Sequence, residues 1–380
     1  MTTALLVNDT AGVCHWGCTG TTRGLKRAIG ALGYTVESVI AEDIPRLGGA
    51  LNTAADFDTD APLARLRTRA PCLPERLAAA DVVVVNAEGC LHGDRSVAKT
   101  LLYLAWYAAE RLGRPVDLVN HSCYPQDTTE VADDALLAIY RRAYEAVRFV
   151  AVREPLSHAL VARWLRRDAR ESFDCLPLYI EAQPPAPTSA PRGLVFATSV
   201  IWQRAWASVQ VDVMARLAEQ GHALTVLVGS AGARNHEDAA FLRDLQRAWR
   251  RRALRSGRFW RRPPWRVVDA ASLDEWLGLI ADSRLLVSGR FHHSIAAACV
   301  GTPWIALDSN TPKIDGLRAA AGVADGPRYG EPGWGERLTR EIEARLAAER
   351  PDPAEVRARR ARWCELAYRN VDALRHAAGG

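Results

Sequence analysis

The sequence predicts an α/β protein built from two doubly wound, Rossmann-like domains facing a central cleft. Three observations predict it. Short apolar runs alternate with stretches of helical period, the signature of repeated βα units around parallel sheets. That alternation breaks at the proline-rich "EAQPPAPTSAPRG" (Glu181 to Gly193) and then restarts. A length of 380 residues leaves room for about two domains of ordinary size. The divisions that follow are an N-terminal α/β domain over 1–182, a linker over 183–192, a second α/β domain over 193–345 and a helical tail over 346–380.

In the first half the strand candidates are "ALLVND", "TVESVIA", "DVVVVNAEG", "PVDLVNHSC", "RFVAVRE" and "ESFDCLPL", with helical stretches between most of them. In the second half they are "GLVFATS", "ALTVLVGS", "WRVVDA", "RLLVSGR" and "PWIALD", separated by amphipathic stretches such as "VQVDVMARLAEQG" and "LDEWLGLIADS". The arginine-rich tail "EVRARRARWCELAYRNVDALRHA" has a helical period that packs on the body of the protein.

Composition narrows the function. A hydrophobic fraction of 48% and a charged fraction of 24% are ordinary for a globular chain and argue against disorder. A net charge of +5 favours anionic partners without demanding nucleic acid. "MTTALLVNDTAG" lacks the basic start and apolar run of a signal peptide, and no stretch approaches the roughly 18 apolar residues of a membrane span, so a cytoplasmic protein is expected. The 8 cysteines are scattered; Cys14 and Cys18 form C-x3-C with no second ligand pair, so reduced thiols and no metal are expected.

Ligands of doubly wound sheets sit beyond the carboxyl ends of the strands. Those ends hold Asn8, Asp9 and Thr10; Glu88, Gly89 and His92; Asn120, His121 and Ser122; Arg153 and Glu154; and, in the second half, Ser199, Ser230, Arg290, His292, His293 and Asp308. Singly, each reads equally well as a solvated strand end. Together they put polar groups where a cleft belongs.

The first βα turn, "NDTAGVCHWGCTGTTRGLKRAI", has glycines at 12, 17 and 20 and Thr19, Thr21 and Thr22 near a helix start, where backbone N–H groups can hold a phosphate or carboxylate. It matches neither G-x-G-x-x-G nor a Walker A loop. His15 and Trp16 either stack on a sugar ring or pack at the domain interface. Glu88 either takes the proton of an acceptor hydroxyl or orients neighbouring backbone. Arg290 offers a planar fork of donors suited to carboxylate or phosphate, and a histidine can give up a proton near neutral pH. Lys313 adds a cation after the next strand. If Arg290 and His292 end an extended strand they share a face, and His293 turns toward the following helix.

The basic stretch 248–266, "AWRRRALRSGRFWRRPPWR", interleaves arginine with tryptophan. It carries no nucleic-acid module, and contact with an anionic membrane surface or a solvated face are its two readings.

Ser288-x-Arg290-x-His292, the small-residue helix after it, Gly301-x-Pro303, an apolar strand and Lys313 resemble the C-terminal signature of the polysaccharide pyruvyl transferase family. "HWGCTGTTRGL", "NAEGCLHGD" and "VAVREPLSHALV" are similar to the same family's layout. The resemblance implies a GT-B-like fold, with the first domain on the acceptor side and the second on the donor side. It also implies transfer of pyruvate from phosphoenolpyruvate to sugar hydroxyls of cell-surface glycans, with that donor as a substrate and no cofactor. By the resemblance His292 is the proton donor, Arg290 grips the donor, and Lys313 and Arg153 support it. Ser288 and His293 join the donor side, and Asp9, His15, Trp16 and His121 the acceptor side. The doubled His292-His293, the HWGC loop and "NAEG" depart from the family pattern and mark a divergent branch. This leaves open a metal-independent GT-B glycosyltransferase with a nucleotide-linked donor, such as a CMP-linked acidic sugar, and a noncatalytic glycan-binding protein.

Overall fold

The structure, a computed structural model, describes residues 2–13, 15–126, 133–186, 191–229, 236–257 and 261–378. Ser230, one of the strand-end candidates, and Cys14 lie outside the described residues. Two parallel sheets form. The first contains β1 (Thr3–Asp9), β2 (Thr35–Ile40), β3 (Val82–His92), β4 (Val116–Tyr124), β5 (Phe149–Val152) and β6 (Arg170–Glu171), in the order β2-β1-β3-β4-β5-β6. The second contains β7 (Leu194–Ser199), β8 (Leu224–Val228), β9 (Trp265–Asp269), β10 (Leu285–Gly289) and β11 (Trp304–Ala306), in the order β11-β10-β7-β8-β9.

Each sheet is covered by helices on both faces, so its central strands are apolar on both sides. Along β1, Leu5 and Val7 enter one core while Ala4 and Leu6 enter the other. Along β7, Leu194 and Phe196 face one core and Val195 the opposite one. The strand order reverses between β1 and β3 in the first sheet and between β7 and β10 in the second. Such switch points are where open α/β sheets leave a crevice.

The tail returns to the first domain. Trp363, in the helix Pro353–Tyr368, stacks on Phe173 with ring centroids 4.4 Å apart. Beyond it, Asn370 accepts from the N–H of Asn120 at 2.7 Å and donates to Phe173 O at 2.8 Å. Cys364, Ala367, Val371 and Leu374 complete the core around Ala4 and Leu6.

The stretch "ESFDCLPL" does not form the strand its apolar residues suggest. Only Arg170–Glu171 pairs, and Leu176–Ala182 is a helix with Pro177 in its first turn, where the missing N–H costs nothing. Asp174 consequently lies between a short edge strand and a helix. In the basic stretch, the two described tryptophans are not presented outward, and Trp260 lies outside the described residues. Trp249 and Trp265 are buried in the second domain, their rings edge-on at 5.7 Å, and Trp249 Nε1 donates to Arg261 O at 3.0 Å. The outward arginines line a groove of about 460 Å³, where Arg252 pairs with Asp212 and Glu219. Among the described residues, no helix is long and apolar enough to cross a membrane.

Candidate active site

Three adjacent strand ends share an unusual backbone. Asn8 on β1, Glu88 on β3 and Asn120 on β4 have φ of 69°, 41° and 53°. Left-handed non-glycine residues cost of order 1–3 kcal/mol each and persist only where their surroundings hold them. Here Asn86 is the hub that does so. It accepts from Asn120 Nδ2 at 2.8 Å through its side chain and from Asn8 Nδ2 at 2.7 Å through its backbone, and it donates to Glu88 Oε1 at 3.1 Å. Thr10 and Thr22 hydroxyls also donate to Glu88 Oε1. Glu88 is 3% exposed, and with Oε1 so occupied its other oxygen is the one left to act on a ligand.

Next to it is a cationic cluster drawn from both domains. Arg153, at the end of β5, is 1% exposed; Nη1 donates to Asp174 Oδ2 at 2.7 Å and Nε to Ser122 Oγ at 3.1 Å. Lys313, opening the helix Lys313–Ala321, is buried and donates to Asn310 Oδ1 at 2.8 Å. Both cations converge on Gly89: Arg153 Nη2 and Lys313 Nζ each lie 3.5 Å from where a Cβ on that residue would sit. Burial, with repulsion from Arg153 behind it, pulls the Lys313 ammonium down to about 8.

His292 stands beside this pair. Its Nε2 is 3.2 Å from Asp174 Oδ2 and 3.4 Å from Arg153 Nη1, and its Nδ1 is 3.7 Å from Cys18 Sγ. Burial alone would raise the Asp174 carboxyl; His292 and Arg153 reverse this and hold it well below the usual carboxylate range. Thr21 Oγ1 and the Leu176 N–H fix Asp174 Oδ1 at 2.8 and 2.9 Å. Asp174 thus orients the imidazole, the arrangement of a base held by a carboxylate.

The Arg290 corner folds differently from an extended strand. β10 stops at Gly289, Arg290 is the residue before the helix Phe291–Val300, and Ser288 Oγ accepts the Arg290 N–H at 3.1 Å. Arg290 and His292 therefore take separate targets. Arg290 Nη2 donates to Glu237 Oε2 at 3.0 Å and Asp238 Oδ1 at 2.9 Å, and Nη1 meets His15 Nε2. His293 faces inward, accepting from Trp276 Nε1 at 3.1 Å, and burial keeps its ring neutral, well below the ordinary histidine range.

Of the remaining candidates, His15 stays beside the cationic groups and the others disperse. Asp9 pairs with Lys26 at 3.0 Å and accepts the Ala11 N–H. His15 lies at the Arg290 corner, where burial first and Arg290 second hold its ring well below the ordinary range. Trp16 packs on the second domain and donates to Ala270 O at 2.8 Å. His121 is fully buried, 2.7 Å from Tyr144 Oη, and burial pulls it down to about 3. Because the helix already starts at Trp16, Gly17, Gly20 and Gly24 serve packing, since side chains there would overlap His292, Leu176 and Cys175 respectively; Gly12, before the helix, has a φ of 88° and open space where a Cβ would sit. Asp174, Asn86 and Cys18 join the site without having been singled out at strand ends.

Two Rossmann-like sheets whose carboxyl ends share a polar, cation-bearing cleft define a GT-B-type scaffold. Solved structures share that fold. A UDP-GlcNAc 2-epimerase from Methanocaldococcus jannaschii in complex with UDP-GlcNAc and UDP is 11% identical, with a TM-score of 0.56 and 100% of both chains covered. The Staphylococcus aureus MnaA–UDP co-structure is 10% identical, with a TM-score of 0.58, covering 100% of this chain and 97% of that one. Arabidopsis thaliana UGT89C1 complexed with UDP-L-rhamnose is 10% identical, with a TM-score of 0.55, covering 100% and 99%. No curated protein matches the chain. A family model described as polysaccharide pyruvyl transferase matches residues 22–311, and the chain belongs to that family; it is a transferase.

Proposed function

We propose that the protein transfers pyruvate from phosphoenolpyruvate to hydroxyls of a glycan sugar, forming a ketal. The observation that carries this reading is the convergence of Arg153 and Lys313 on Gly89, beside an imidazole oriented by a buried carboxylate and within reach of Glu88. Phosphoenolpyruvate carries a phosphate and a carboxylate, and two desolvated cations match that charge through charge-assisted hydrogen bonds worth about 1.5–3 kcal/mol each.

His292 protonates the methylene carbon, and the adjacent carbon becomes electrophilic. Glu88 takes the proton of the acceptor hydroxyl as it attacks; Arg153 and Lys313 stabilise the departing phosphate. A second hydroxyl of the sugar closes the ketal. Arg290 has a different task here from the one the family resemblance implied. Its guanidinium is bound by Glu237 and Asp238, so it fixes the corner carrying His292, and the grip on the donor passes to Arg153 and Lys313.

Calorimetric titration tests the donor. Phosphoenolpyruvate is expected to bind the wild type and to lose at least about tenfold in affinity in Arg153→Gln and Lys313→Gln, the cost of one charge-assisted hydrogen bond. Binding of CMP, UDP or GDP with no response to phosphoenolpyruvate would overturn the reading in favour of a nucleotide-sugar donor.

A further inference from the structure

Cys18 has no task in the reading above, yet it occupies a reactive place. It is the third residue of the helix Trp16–Gly30, in the first turn, where the backbone favours an anion. Its Sγ lies 3.7 Å from His292 Nδ1, whose other ring nitrogen is 3.2 Å from Asp174 Oδ2. Nucleophile, base and orienting carboxylate follow one another, the relation that defines an activated nucleophile whatever the fold.

His292 Nδ1 and a Glu88 carboxylate oxygen lie within 4.8 Å of the sulfur, and Lys313 interacts with it electrostatically. Lys313 and the helix terminus favour a sulfur anion, and Glu88 opposes it. Cys18, Glu88 and His292 place ligand atoms within 4.8 Å of one another, spacing that a metal ion also accepts. The two cations gathered on Gly89 repel a divalent ion there and attract an anion, so the electrostatics favour the thiolate.

We propose that Cys18 is a nucleophilic thiolate, paired with His292, that takes up the donor's carbon covalently. The covalent step rests on phosphoenolpyruvate being the donor. The sulfur lone pair forms the S–C2 bond, and the C2=C3 π pair takes the proton from His292 Nδ1, making a methyl group. The imidazolium becomes neutral, and phosphate stays on C2. Attack by one acceptor hydroxyl expels the phosphate; attack by the second expels the thiolate and restores Cys18. Glu88 takes each hydroxyl proton in turn; one returns to His292 and the other leaves with phosphate.

Two measurements on the full chain test this. In the first, iodoacetamide is applied at neutral pH and alkylation is followed by tandem mass spectrometry that separates Cys14 from Cys18. Cys18 is expected to react at least about tenfold faster than the exposed Cys72 and to lose that advantage in His292→Asn. In the second, phosphoenolpyruvate without acceptor is expected to add the mass of one donor to the wild type and none to Cys18→Ser. A Cys18 rate no higher than that of Cys72, or a high rate only after a chelator has stripped a metal, overturns the thiolate. Donor bound by calorimetry with no adduct, together with full turnover by Cys18→Ser, overturns the covalent step. If phosphoenolpyruvate neither binds nor protects a fast-reacting Cys18, the donor reading has failed and the covalent step with it, while the thiolate stands.

Discussion

Asp174 and His292 meet across the domain boundary, Oδ2 to Nε2 at 3.2 Å, and both are buried. Asp174 enters from the first domain and His292 from the first turn of a helix in the second. His292, the proton donor of the proposed reaction, is therefore positioned only when the two domains are packed as they are here, and the site is a property of the interface.

Asp174→Asn removes the charge but keeps the shape. Turnover is expected to fall by about 10²–10⁴, the range that a positioned acid–base group supplies, with a smaller change in donor affinity. A steady-state comparison of kcat and KM checks it; unchanged kcat would remove the imidazole from the chemistry.

Gly17→Ala places a methyl group into the Cβ of His292. Backbone on one side and a helix on the other leave little room to yield, so His292 is displaced from Asp174. The variant is expected to fold with a lowered Tm and to lose turnover nearly as far as His292→Asn. Wild-type turnover would show that His292 keeps its place against Asp174 with the methyl group present.

Donor binding should weaken as pH rises through about 8, where Lys313 loses its proton, and Lys313→Gln should abolish that dependence. Stability moves the other way. Between about 8 and the ordinary lysine value of 10.5 the unfolded chain holds this proton and the folded chain does not, so Lys313 makes the fold more stable as pH rises. Lys313→Met is then expected to raise Tm at neutral pH while donor affinity falls at least about tenfold; calorimetry with and without donor reads both.

The buried histidines govern the acid limb. His121, pulled down to about 3 from 6.5, stays neutral in the fold while the unfolded chain takes up a proton, so stability falls as pH drops from about 6.5 toward 3. His293 contributes with the same sign. His121→Gln is expected to flatten that limb and lower Tm without changing donor affinity. His293→Asn loses the Trp276 hydrogen bond and costs about 1–3 kcal/mol, mainly in stability, where His292→Asn costs turnover.

The sheet strands were legible because parallel strands buried on both faces read as apolar runs, and their polar ends pointed to Glu88, Arg153 and His292. Asp174 was not, because "ESFDCLPL" is apolar enough to pass for a strand and puts it mid-run; Pro177 three residues on was the signal of a helix start. Arg290 was legible as a cleft residue but not in its partners, since Glu237 and Asp238 lie 53 and 52 residues away and no local pattern joins them. His121 sat at a strand end as correctly as Arg153 did. Only the packing of Tyr144 over it shows that one end faces a core and the other the cleft.

The most direct test of transfer is a reaction with phosphoenolpyruvate and a glycan acceptor, followed by phosphate release and by NMR of the sugar product. Phosphate is expected to be released one for one with a new ketal methyl signal, both lost in His292→Asn and Glu88→Gln. Release of a nucleotide from a nucleotide-sugar donor, with phosphoenolpyruvate left intact, would contradict it.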